Sequence, residues 1–244
     1  MQNIFGFLNI NKPPNCTSHD VINVLRKNLD IKKIGHAGTL DPFATGVLVI
    51  GINKATKLFQ FLPQDKVYLA EITFGISTDT DDITGNTIEE LADIPTLNGI
   101  NEKLNTFTGK LKQKPPIFSA VKINGNRAYK LARNNQISLD KMKEKDVEVY
   151  SIEIVSYDDV GVCHGVRVCH GKPLLTLKIH CSGGTYIRSL ARDLGKALNS
   201  CATLSKLERV KACGFNLEDS LSLDLITKFT LSEYLISPKV YNNH

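Results

Sequence analysis

The chain has 244 residues, 42% hydrophobic and 23% charged, near ordinary globular values, so neither a disordered nor a fibrous class fits. No apolar run approaches the ~20 residues that cross a bilayer, and the start, Met1 to Gly6, has neither a basic region nor a long apolar segment, which argues against insertion or secretion. Net charge is +5 but unevenly placed: residues 67–109 carry one Lys against eight acids, residues 110–150 ten Lys and Arg against four. Six cysteines form no compact framework, and a cytoplasmic chain keeps them as thiols.

Along the chain, a short apolar start from Phe5 to Ile10 leads into Asn11-Lys12-Pro13-Pro14-Asn15, which reads as a rigid turn. Thr17 or Ser18 then caps a helix carrying Val21, Ile22, Leu25 and Leu29 on one face. Next, one carboxylate, Asp41, sits between a loop bearing Gly35, His36 and Gly38 and an apolar run, Gly46 to Ile52, that reads as a buried strand. Pro42 biases Asp41 out of the helical region, so its side chain is displayed from an extended turn. Read alone, the pair is equally an ordinary Asp-Pro turn.

Ala55, Leu58, Phe59 and Leu62 predict a second short helix. Residues 67–75 alternate as a strand, with Tyr68, Ala70, Ile72 and Phe74 on one face. Asp79 to Asp82 with Gly85 reads as an exposed loop, and a helix with Ile100, Leu104 and Phe107 follows. From Lys110 to Arg133 there are seven cations and no acid, with Phe118 and Tyr129 interleaved. Such a segment neutralises phosphates and offers rings for stacking, or is simply a solvated amphipathic helix and hairpin. Asn124-Gly125 marks a tight turn inside it.

Residues 147–157 and 174–181 read as strands. Ser182-Gly183-Gly184 then turns into a helix with Ile187, Leu190, Ala191, Leu194 and Leu198 periodic through it. Cys163-His164 and Cys169-His170 invite a zinc reading, but the Cys-x5-Cys spacing is not a standard knuckle, so no metal is expected. Phosphate-cradling glycine motifs are absent, which leaves ATP and NAD chemistry without support, and no cofactor is expected. Leu221 to His244 supplies one or two short helices at most. One α+β unit is the simplest organisation.

Residues Gly35 to Leu48 closely resemble the catalytic-aspartate motif of the bacterial tRNA pseudouridine-55 synthases (TruB type). Four further stretches resemble the same family in order: Gly6 to Pro13 with Thr17-Ser18; Asp65 to Tyr68; Lys114 to Lys122 with Gly125 and Tyr129; and Cys181 to Leu190 with Asp193-Leu194-Gly195. The resemblance implies a pseudouridine synthase fold of the α+β class, with a mixed, mainly antiparallel central sheet, flanking helices and a basic catalytic cleft. It implies Asp41 as the catalytic residue and Arg188 as the cation that pairs with it. Tyr68 would stack on the flipped base, His36 would fill the space that base vacates, and Tyr186 and Leu207 would line the base pocket. Lys12 and Pro13 would buttress that pocket, and the 110–133 segment, Lys122 included, would grip RNA. For Tyr68 and Arg188 the residues alone leave core packing and a solvated helix face as alternatives.

The expected partner is the T-arm of tRNA, with no membrane, no guide RNA, and a monomer as the default. The expected catalytic domain spans residues 1–235, followed by a tail at 236–244 and no evident C-terminal PUA domain. The rival expectation is a non-catalytic tRNA-binding folding chaperone; a generic basic interaction module is a third. Three departures from the family pattern stand out, the expected lack of a PUA domain being one. Asn15 replaces a usual Gly, and Leu207-Glu208-Arg209 keeps one arginine where the family tends to have two, removing one potential phosphate contact.

Overall fold

The computed structural model describes residues 4–159 and 171–238. In chain order the strands and helices are β1 (Gly6–Lys12), α1 (Ser18–Leu29), β2 (Ile34–His36), β3 (Thr45–Ile52), β4 (Lys66–Phe74) and β5 (Ile76–Thr78). Then come β6 (Thr87–Glu90), α2 (Leu97–Leu104), β7 (Gly109–Gln113), β8 (Lys122–Ile123), β9 (Asn126–Arg127) and α3 (Ala128–Arg133). The rest are β10 (Lys145–Asp158), β11 (Leu174–Cys181), α4 (Ile187–Ala197), β12 (Ala202–Ala212), β13 (Phe215–Asn216) and α5 (Leu231–Tyr234). The chain divides into two compact units, residues 1–68 with 207–244 and residues 69–206.

In the first unit β1 pairs antiparallel with β3 from Gly6↔Ile52 to Lys12↔Gly46, and β12 joins β3 in parallel at Glu208↔Thr45 and Arg209↔Gly46. Both faces of β3 are covered. Leu48, Ile50 and Ile52 meet Leu8, Ile10 and the α1 residues Val21, Ile22, Leu25 and Leu29; Val47 and Val49 meet Phe7, Ala212 and Phe215. A strand buried on two faces has no polar phase, which is why residues 46–52 read as an unbroken apolar run. Thr17 is the helix cap: its side chain accepts from the Asp20 amide at 3.1 Å while the Asp20 carboxylate accepts from the Thr17 amide at 2.9 Å. The Asn15 departure is absorbed, since Asn15 sits at φ 61°, a left-handed position asparagine tolerates.

In the second unit the strand order is β12–β4–β11–β10–β7, with β10 antiparallel to both β11 and β7. β5 and β6 form a separate two-stranded ribbon, and so do β8 and β9, whose turn has Asn124 at φ 49° and Gly125 at φ 84°. Along β4, Ala70, Ile72 and Phe74 of this unit and Tyr68 of the first are buried, as the alternation predicts. Helix α4 buries Ile187, Leu190, Ala191 and Leu194.

Two expectations are corrected. The helix predicted over 55–62 is a pair of 3-10 turns, Asn53–Lys57 and Phe59–Phe61. Asn53 opens the stretch in the left-handed region, and Pro63 closes it by pushing Leu62 to an extended ψ of 152°. The acidic stretch is not exposed: Asp82 is only 4% exposed, because the loop docks on the start of β12 through Ile83 N–H to Leu204 O at 3.0 Å and Leu204 N–H to Asp81 O at 3.2 Å.

The β3–β12 contact depends on Gly46. It lies at φ +101°, and a Cβ there would sit 2.4 Å from the Arg209 carbonyl oxygen. Gly46→Ala is expected to cost about 3 kcal/mol or more, left-handed strain and backbone clash together, against about 1 kcal/mol for Gly125→Ala, whose Cβ would meet nothing within 4 Å. Urea denaturation midpoints of the two variants check the contrast; equal losses would contradict it.

Candidate active site

Asp41 is half-buried at the first position of a tight turn closed by Ala44 N–H to Asp41 O at 3.1 Å, with Pro42 at the second position, where its fixed φ suits the turn. The residues on either side are tied down. The Leu40 amide donates to Ser18 Oγ at 2.9 Å. Lys12 Nζ donates to the Pro42 carbonyl at 3.1 Å and to those of Pro13 and Cys16 at 2.8 Å each. All three ammonium protons are therefore used, and Lys12 is 0% exposed. Burial pushes its amine below the ordinary lysine range, while the charges of Cys16 and then Asp41 pull it back up.

Arg209 is also buried. Its Nε donates to Val47 O at 2.8 Å, Nη1 to Thr39 O at 3.3 Å and Nη2 to Gly38 O at 3.1 Å. A side chain 1% exposed and bonded to three carbonyls is not available to a phosphate. His36, on β2 opposite Ile50, is half-buried. Burial first, then the positive charges of Arg209 and His19, hold its imidazole below the usual 6.5. Its Nδ1 is buried and has no hydrogen-bond partner among the described residues.

The second unit holds a paired charge cluster that the sequence reading missed. Arg188 is 5% exposed, not on a solvated helix face. Its guanidinium meets Asp82 at 3.4 Å and donates to Thr80 O at 3.0 Å and Phe118 O at 3.2 Å. One turn along α4, Arg192 pairs with Asp81 at 2.8 Å and with Asp193 at 2.9 Å, and donates to Lys114 O at 3.0 Å. Burial pushes the Asp81 carboxyl up, against the pull of Arg192. The signal was present as two adjacent aspartates and two arginines four apart, a spacing that puts both cations on one helix face.

Gln113, another missed residue, exchanges two hydrogen bonds with Tyr186: Nε2 to Tyr186 O at 3.0 Å and Tyr186 N–H to Oε1 at 2.8 Å. With Ser189 Oγ donating to Lys114 O at 2.8 Å, the root of the basic segment is fastened to the start of α4. Farther out, Lys122 is exposed, and Arg133 lies 5.6 Å over the Tyr129 ring.

Of the predicted site residues, Lys12, Pro13, His36, Asp41, Tyr68 and Leu207 fall in the first unit, and Lys122, Tyr186 and Arg188 in the second. Tyr68 and Leu207 are 6% and 5% exposed. The Cys163–His170 stretch lies outside the described residues, and among the described residues no three His, Cys, Asp or Glu side chains are grouped to hold a metal. No helix among them is long and apolar enough to cross a membrane.

Residues 26–187 match the family model described as TruB family pseudouridylate synthase, N-terminal domain. The chain is 44% identical to a protein of Microcystis aeruginosa named tRNA pseudouridine synthase B, over 99% of this chain and 78% of that one. A Prochlorococcus marinus protein of the same name is 47% identical, over 91% of this chain and 67% of that one. Among solved structures, a chain of a Cbf5–Nop10–Gar1 complex superposes with a TM-score of 0.64 at 27% identity, covering 93% of this chain. The present chain spans about half, 55%, of that one.

Because the His36 imidazole resists protonation in the fold, the unfolded chain takes up a proton near pH 6.5 that the folded chain refuses. The contribution is present above that pH and is lost as pH falls through 6.5 and below. The urea midpoint should therefore drop more steeply between about pH 7.5 and pH 5.5 for the parent than for His36→Gln; parallel curves would rule this out. Lys12→Met, which leaves three carbonyls without their donor, is expected to cost about 2–3 kcal/mol in the same assay.

Proposed function

Because the chain belongs to the TruB family of pseudouridylate synthases, we propose that it isomerises the T-loop uridine at position 55 of tRNA to pseudouridine. The observation that carries this reading is identity of 44% and 47%, across most of the chain, to proteins named tRNA pseudouridine synthase B. The reaction breaks the C1′–N1 bond, turns the detached uracil and joins C1′ to C5; the C5 proton leaves to solvent and N1 takes up a proton in its place. Atoms balance without a metal or an organic cofactor. Whether it attacks the sugar, adds to the ring or removes a sugar proton, an ionised Asp41 supplies the electron pair.

A uridine inside a folded loop must be extruded to react. In this reading Tyr68 stacks on the flipped base, Tyr186 and Leu207 line its pocket, and His36 occupies the vacated space. Arg188 is the cation that keeps Asp41 ionised, while Lys12 and Pro13 support the pocket from behind. The 110–133 segment, Lys122 at its exposed hairpin, meets T-arm phosphates; shape and backbone contacts of this kind are how folded RNA is commonly read. The enzyme acts as a monomer in the cytoplasm and without a guide RNA. In support, relatives named for tRNA are closer in sequence, at 44–47%, than the Cbf5 chain, at 27%.

The test is tritium release from tRNA transcript labelled at uracil C5. The parent should release label from one uridine, mapped to position 55, and Asp41→Asn should be slower by about 1,000-fold or more while still binding tRNA. Binding without release by the parent would favour the chaperone reading. Equal release by both proteins would remove Asp41 from its role.

A further inference from the structure

We infer that Arg209 is a positioning residue for the reaction, a buried guanidinium that fixes the place of Asp41 by bonding the main chain on both sides of it. The inference rests on Asp41 being the reacting carboxylate. Two acceptors, Gly38 O and Thr39 O, precede Asp41, and the third, Val47 O, follows it in β3. The ladder fixes the far end of this segment, since Val47 pairs with Asn11 of β1. At the near end, the last ladder-like bond is Ala37 N–H to Val49 O at 2.9 Å, after which the chain leaves β2. Arg209 ties the departing residues, Gly38 and Thr39, back to the strand.

The fork suits this task. Its donors point in fixed in-plane directions, so three carbonyls are held in one geometry, whereas a lysine ammonium is a single point on a flexible stem. Gly46 brings the Arg209 backbone close enough for the side chain to reach across, since any Cβ there would meet that backbone at 2.4 Å. Gly38 packs beside the guanidinium, its Cβ position 3.8 Å from Nη1 and 3.7 Å from Lys66 Cε. Burying a guanidinium is costly compared with a hydrophobic side chain of like size, so stability alone is a weak reason for one here. What a hydrophobic side chain could not do is orient three carbonyls around a reacting group.

Small displacements of a reacting group have large kinetic effects: about 1 Å can cost on the order of 100-fold. The experiment is the single-turnover rate constant for tritium release, which does not depend on the fraction of active protein. Arg209→Met is expected to lower it about 100-fold and to change tRNA Kd by about 2-fold or less. Arg209→Lys, which keeps the charge but not the fork, should recover only part of the loss. Leu25→Ala, in the α1 core, serves as the stability control: it should lower the denaturation midpoint and leave the rate constant unchanged.

A parental rate constant in Arg209→Met, or an equal slowing in Leu25→Ala, would overturn the inference. Amide hydrogen exchange gives a readout independent of turnover: residues 38–47 should exchange faster in Arg209→Met and not in Leu25→Ala. If the parent itself releases no label, the proposed reaction fails, and exchange alone decides whether Arg209 holds the loop. Unchanged exchange in Arg209→Met would remove the role entirely.

Discussion

A cation taken out of water must have its donors met, and the surroundings of Asp41 follow from how two of them are met. Lys12 gives all three protons to carbonyls of Pro13, Cys16 and Pro42, and Arg209 bonds those of Gly38, Thr39 and Val47. The partners are main-chain oxygens, so satisfying each charge also organises a stretch of irregular backbone that has no ladder of its own. The two-faced core around β3 supplies the dry setting in which such bonds are strong. Loss of either core face would let water compete for the same carbonyls.

The second unit solves a related problem with acids. Asp81 and Asp82, neighbours on one loop, each meet an arginine of α4, and the arginines also donate to the Thr80, Phe118 and Lys114 carbonyls. The helix, the acidic loop and the root of the basic segment thus share one buried network. Partial loss there is more costly than its single bonds suggest, because an unpaired buried charge remains. Exposed Lys122 lies at the outer hairpin, where a basic side chain remains available to an anion.

Much of this was readable in the residues. Helix α1 was set by its apolar stripe and Thr17 cap, β3 by its unbroken apolar run, and the β8–β9 turn by Asn124-Gly125, because in each case the determinants are neighbours in sequence. The five motifs pointed to the family in the same way. What escaped depended on distant partners. Asp81 and Asp82 looked like solvent residues because their arginines come more than a hundred positions later. The bonds of Arg209 left no trace there, because carbonyl acceptors leave no mark on the sequence. The 3-10 turns near residue 55 were read as one helix because their apolar spacing fits either form.

The reliance on carbonyl oxygens has a consequence for how this loop tolerates genetic change. Every residue type offers the same oxygen, so the clamp does not read the side chains of Pro13, Cys16, Thr39 or Val47. Exchange of one amino acid for another at these places leaves the acceptors where they are, provided the backbone conformation is kept. Insertion or deletion of a single codon between Gly38 and Val47 moves every later oxygen out of register with a guanidinium whose reach is fixed. Spacing, more than composition, is what this part of the gene has to preserve.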